Sequence, residues 1–299
     1  MSYVLDDGRT LKNLVGATDN ETLEQRMADV VLVAREEITA GHGPKLTFDA
    51  NHLKALHKHL FQDAFEWAGH FRNEKFQLSD GTIAFDPVIR KEGRANAFSA
   101  GNQITLELDD LMSRLKESNY LRGLGRSEFA HEAGRFFAQL NKIHPFREGN
   151  GRTQREFMVA LAETAGHEID FSVVSSERMI SASIAAAERS DMEPMLRMFD
   201  EITNPDCIKA LQSVITAIEK FRPRLEPHVS SWDHIYLATA VPMQKYEGKF
   251  AGTDGKTFML QPDSSTILVG NAADLPDPRP PSGSHFSFTA SDLTHKNVQ

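Results

Sequence analysis

His144-Pro145-Phe146-Arg147-Glu148-Gly149-Asn150-Gly151-Arg152-Thr153-Gln154-Arg155 is the stretch on which the reading of this 299-residue chain turns. It joins two helical patterns. Gly149, Asn150 and Gly151 accept backbone angles that turn successive amides toward one point, and the next helix adds its unpaired amides and positive dipole end. The spacing therefore predicts an anion cradle. Arg152 and Arg155, three apart at the start of that helix, can grip phosphate oxygens from one side. Glu148 sets an acceptor-only carboxylate beside the cradle, suited to a magnesium ion that bridges two phosphates. His144 lies just upstream, and an imidazole of ordinary pKa, about 6.5, is neutral at pH 7 and can take a proton from an incoming hydroxyl.

Taken singly, each feature is commonplace. Gly-Asn-Gly before a helix is more often a turn or cap, an arginine pair a solvated face, His-Pro a helix boundary, and Phe146 a core anchor, the role assigned to it here. Eight defined positions at about 5% each, however, coincide by chance on the order of 10⁻¹⁰ per starting point.

Moving outward, Ser127 opens a helix whose buried face carries Phe129, Ala133, Phe136, Phe137 and Leu140 and which runs toward His144. Helical pattern also covers Gly93 to Lys116 and Asp49 to Phe61, where Leu53, Leu56 and Leu60 share a face. A capping box of Thr18 and Glu21 predicts the first helix, through the apolar stretch near Val30. From Phe71 to Pro87 the period changes: Phe76, Leu78, Ile83 and Phe85 surround Ser79-Asp80-Gly81, the composition of a hairpin flap. Beyond Gly166, helices are expected near Ser175 to Ala187, Glu193 to Ile202 and Pro205 to Phe221, with a boundary at Arg222-Pro223-Arg224. After Trp232 the texture becomes strand-like, at Ile235 to Leu237, Lys249 to Ala251, Thr257 to Leu260, Thr266 to Val269 and Phe286 to Phe288. Such short, turn-separated strands suggest a small barrel or OB-like module.

The segment from His144 to Arg155 resembles the Fic signature, His-x-Phe-x-Asp/Glu-Gly-Asn-Gly-Arg-x-x-Arg, with every defined position matched. Phe65-Glu66-Trp67-Ala68-Gly69, the flap, Asn96-Ala97-Phe98, the helix end at Gly166-His167 and the β-rich tail extend the likeness to the Fic-domain effectors of Bartonella. The resemblance implies a mainly α chain, with a Fic helical fold and β-hairpin flap over 1–204, a helical linker at 205–229 and an OB-like β module at 230–299. It implies a protein adenylyltransferase that uses ATP and magnesium to place AMP on a Ser, Thr or Tyr hydroxyl of a host protein, for which a small GTPase is the expected class. In that reading His144 is the general base and Glu148 the metal ligand. Gly149, Asn150 and Gly151 cradle the α-phosphate, while Arg152 and Arg155 hold the distal phosphates. Phe76, Gln77, Leu78, Ser79 and Asp80 pin the target's backbone by strand-like pairing. The effectors continue into a domain with a type IV secretion signal, which these residues do not match. Localisation is accordingly expected in the bacterial cytoplasm and, after export, the host cytoplasm.

Similar Fic enzymes are held off by a helix bearing Ser/Thr-x-x-x-Glu-Gly/Asn. Ser113 to Glu117 is followed by Ser118, and Thr164 to Glu168 by Ile169, so neither matches. The expected inhibitor is a separate small antitoxin-like protein whose glutamate targets Arg155.

Composition sets the outer limits. A net charge of -9 argues against general nucleic-acid binding, and the β-rich tail has no dense basic and aromatic stripe. Cys207 is the only cysteine, so no intrachain disulfide is possible and a reducing compartment is expected. The run from Val30 to Ala34 is too short for membrane insertion, and a soluble protein is expected. The rival within the fold is transfer of another group, as in Doc-like kinases, against which the intact Gly-Asn-Gly loop argues. A non-catalytic scaffold is countered by His144. His52, His57, His59 and His131 lack metal-site spacing around Glu132 and are read as surface or core residues.

Overall fold

A computed structural model describes residues 3–89, 98–221 and 232–293. The chain forms two compact units, the first made of 1–125 and 135–168, the second of 126–134 and 169–299.

The first unit is helical. Helix α1 (Asn20–Glu37) begins one residue later than the Thr18 capping box predicts. Asp19 is the true N-cap, because its extended backbone brings the carboxylate to the Thr22 N–H, at 2.8 Å. Helix α2 (Ala50–Phe61) is capped in the same way by Asp49 and buries Leu53, Leu56, His57, Leu60 and Phe61 along one face. The two-stranded flap follows, β1 (Phe76–Gln77) antiparallel to β2 (Ile83–Ala84), closed by a turn in which the Leu78 N–H donates to the Thr82 carbonyl. Helix α3 spans Gln103–Glu117, not the predicted 93–116. Residues 98–102 instead carry a turn through Gly101 at φ 55°. The earlier part of that predicted helix lies outside the described residues, as do Asn96-Ala97 and the Arg222-Pro223-Arg224 boundary. Helices α4 (Arg126–Ile143) and α5 (Asn150–Ala165) flank the loop that contains Glu148. Phe61, Phe65, Trp67, Leu78 and Ala84 join residues of α1 in one buried cluster, so the base of the flap is part of the core.

In the second unit, α6 (Ser176–Glu188), α7 (Glu193–Ile202) and α8 (Pro205–Phe221) accompany a five-stranded sheet. Its strands are β3 (Tyr236–Thr239), β4 (Lys245–Thr253), β5 (Thr257–Gln261), β6 (Thr266–Asn271) and β7 (His285–Thr289), in the order β3-β6-β5-β4-β7. Only β3 and β6 pair in parallel. Phe250, Phe258, Leu260, Leu268 and Phe288 fill the core of this small β module. Residues 169–204 sit on it through a buried ion pair: Arg178 meets Glu201 at 2.8 Å and donates to the Leu237 carbonyl, and Glu201 accepts the Thr239 N–H. No described helix is long and apolar enough to cross a membrane.

Candidate active site

Helix α4 ends at the histidine. The His144 N–H still reaches back to the Leu140 carbonyl at 3.1 Å, but its φ of 50° is left-handed, and Pro145 cannot extend the helix. This closure turns the imidazole out of the helix, where it stacks on Phe98 with centroids 3.9 Å apart and planes 9° from parallel.

The loop from Phe146 to Asn150 closes on itself. The Asn150 side chain is 3% exposed and uses both ends on one residue, accepting the Phe146 N–H at 2.9 Å and donating to the Phe146 carbonyl at 2.8 Å. It is thus an internal clamp, and what Asn150 can offer a ligand is its backbone amide. Gly149 is demanded twice by the fold: its φ is 81°, and a Cβ would stand 2.5 Å from the Phe61 ring. Behind the loop lies His57, fully buried and stacked on Phe146 at 3.9 Å. Its Nδ1 accepts the Gly69 N–H at 2.8 Å, so the proton sits on Nε2 and is donated to the Glu148 carbonyl at 3.0 Å. Burial pushes the His57 pKa down to about 3, and the ring stays neutral.

Gly151 has no such internal reason. A Cβ there would meet only the Arg155 guanidinium, at 4.0 Å, and the residue is exposed. A glycine in the first helical turn that the fold does not require leaves open space above the amides of Asn150, Gly151 and Arg152. These precede the first intrahelical bond, from the Thr153 N–H to the Gly149 carbonyl at 3.0 Å, and a helix supplies them no acceptor. Glu148 and Arg152 flank the space as an ion pair at 3.2 Å, and the Glu148 Oε1 also accepts the Gly149 N–H at 2.8 Å. Arg152 further packs over the Phe61 ring, 5.1 Å from its centroid.

The flap tip is tied on two sides. Lys12 donates to Asp80 at 2.6 Å and to Thr82 at 2.8 Å, and Glu66 accepts both the Ser79 N–H and the Ser79 hydroxyl, each at 2.8 Å. The Lys12 ammonium and the Thr82 N–H hold the Asp80 carboxyl down to about 2. Phe76 packs on His70, Leu78 is buried, and Gln77, Ser79 and Asp80 are exposed.

One more cation underlies this part of the unit. Arg72 is fully buried and donates to five backbone carbonyls: His144 at 2.8 Å, Pro87 at 2.8 Å, Asp86 and Ile143 at 3.4 Å each, and Ser99. Neither Arg72 nor the role of His57 was drawn from the sequence. For His57 the signal existed, since it falls four residues after Leu53 and three before Leu60 on the buried face of α2. For Arg72 no local pattern exists.

The Fic/DOC family model matches residues 47–162. A protein adenylyltransferase of Bartonella henselae is 37% identical over 278 residues, which is 92% of this chain and 49% of that protein. This chain therefore spans about half the length of that relative. The type IV secretion system effector protein BepA superposes with a TM-score of 0.86 at 34% identity, over 98% of this chain and 97% of BepA. BepC of Bartonella tribocorum, a VirB-translocated effector solved with bound AMPPNP, superposes at 0.65 with 40% identity, over 68% of this chain and 96% of that one.

Proposed function

Because the chain belongs to the Fic/DOC family, we propose that it is a protein adenylyltransferase, moving AMP from ATP to a Ser, Thr or Tyr hydroxyl of a target protein. The observation that supports this most is Gly151, a glycine the fold does not need, at the open first turn of α5 and under Arg155. AMPPNP bound in the BepC structure supports the use of ATP.

In this reading Gly149, Asn150 and Gly151, with the Arg152 amide at the start of α5, cradle the α-phosphate, and Arg152 and Arg155 hold the distal phosphates. The target's hydroxyl oxygen forms a bond to the α-phosphorus as the bond to pyrophosphate breaks, and the hydroxyl proton passes to His144. Glu148 must leave Arg152 as nucleotide enters, which frees both groups at once. Among the described residues no cluster of three or more acidic, histidine or cysteine side chains could hold a metal, so magnesium would take Glu148 and complete its shell with phosphate and water. That ion would supply charge neutralisation on the phosphates. The flap, Phe76 to Asp80, presents a two-stranded edge for the target's backbone.

The β module is read as OB-like and the host cytoplasm as the place of action; the chain is read as part of a type IV secreted effector, as BepA and BepC are named. Small GTPases are the first targets to assay. The inhibitor is read as a separate antitoxin-like protein directed at Arg155.

The test is incubation with magnesium and a host-cell lysate using ATP labelled on either the α- or the γ-phosphate. Label must enter protein from α only, and His144→Ala must abolish it while keeping ATP affinity. Transfer of γ-label, or equal transfer by the variant, overturns the proposal.

A further inference from the structure

The five carbonyls on Arg72 belong to three separate segments. Ile143 and His144 lie in the turn that carries the imidazole, and the Arg72 backbone N–H adds the Pro145 carbonyl at 2.9 Å, so three consecutive carbonyls are held. Asp86 and Pro87 lie just past β2, on the chain leaving the flap, and the Arg72 carbonyl in turn accepts the Asp86 N–H at 2.8 Å. Ser99, the remaining partner, directly follows Phe98, whose ring stacks on His144.

A fully buried guanidinium is costly unless its donors are satisfied, and among the described residues Arg72 has no carboxylate in hydrogen-bond contact. Burial lowers its pKa to about 10, which still leaves it cationic at neutral pH. A planar fork with five donors can span several carbonyls in fixed directions, which an ammonium cannot. The backbone it holds at His144 is in the left-handed region, which is strained for L-residues with a Cβ. An external anchor on that residue's own carbonyl opposes relaxation of the turn.

We propose that Arg72 is a positioning residue for the transfer reaction, locking the His144 imidazole to the flap exit so that base and docked hydroxyl stay in register. This rests on the function proposed above. Arg72 lies under the backbone, touches no reacting atom, and acts through His144.

The test is Arg72→Lys, which keeps the charge and loses the fork, beside Arg72→Met, which removes the charge. Turnover, KM for target, ATP affinity and melting temperature are measured for each. A misplacement of the base by about 1 Å costs on the order of 100-fold in rate, so turnover should fall by that order in at least one folded variant while its ATP affinity stays within about twofold of wild type. Turnover unchanged in the folded variants overturns the inference. So does a loss that tracks ATP affinity, or failure of both variants to fold, since Arg72 is then only structural. Absence of AMP transfer by the wild-type protein is a different outcome, because it defeats the proposed function before Arg72 is reached.

Discussion

The loop from His144 to Arg155 and the flap from Phe76 to Ala84 face one proposed reaction but are built on opposite plans. In the loop, Asn150, Gly149, Thr153 and the carbonyls of Phe146 and Glu148 are spent on internal contacts, most of them buried. In the flap, four strand residues stand on a buried base while the tip is held by exposed ties to Lys12 and Glu66. The first plan suits a site that must present the same geometry to every phosphate. The second suits a surface that meets a protein and must give slightly as it does.

If that contrast is right, the loop should fail abruptly and the flap gently. The largest effect should come with acid. His57 under the loop and His52 in α2 are buried, and burial lowers them to about 3 and about 4. The unfolded chain, with histidines near 6.5, then binds more protons than the folded one once the pH falls below 6.5. Their contribution is intact above about pH 6.5 and drains away as pH drops, reaching a loss of about 2 kcal/mol per histidine at pH 5. Urea melts at pH 7 and pH 5 measure this, and a slope unchanged in His52→Leu would contradict it.

Next in size is a contrast inside the loop itself. Gly149→Ala must place a methyl against Phe61 and hold a left-handed φ, costing about 2–4 kcal/mol. Gly151→Ala should instead hold or raise stability, by up to about 1 kcal/mol, while AMP transfer drops. Thermal melts beside transfer assays separate the two, and equal destabilisation would mean that the open space above Gly151 is not real. The smallest effect is expected at the flap: Lys12→Met should leave the melting temperature nearly unchanged, because its partner is half exposed, and should return Asp80 toward the ordinary carboxylate range. Carboxyl titration by NMR reads the second change directly.

What could be seen in the sequence follows the distance over which each feature is encoded. The motif is legible because its parts are consecutive and chemically distinctive. The flap is legible because Ser79-Asp80-Gly81 announces a turn between alternating apolar residues. The helices from Glu193 and Pro205 fall where periodicity puts them. Arg72 could not be read, since its meaning lies in carbonyls up to 72 positions away, and a carbonyl leaves no mark in the sequence. For the same reason the parallel pairing of β3 with β6 was invisible: each strand shows its own alternation but not its neighbour. The first helix was misplaced by one residue because Thr18 and Asp19 are both good caps, and backbone direction decides between them.

The clamp at Asn150 also bears on how this protein ages. Asn followed by Gly is the pair most prone to spontaneous deamidation, which requires the next residue's amide nitrogen to attack the side-chain carbonyl carbon. Here the side chain is tethered at both ends to Phe146, and the helical backbone directs the Gly151 N–H elsewhere. The same two bonds that shape the loop therefore shield its most perishable link. Were the amide ever hydrolysed, a carboxylate oxygen would face the Phe146 carbonyl where a donor had been.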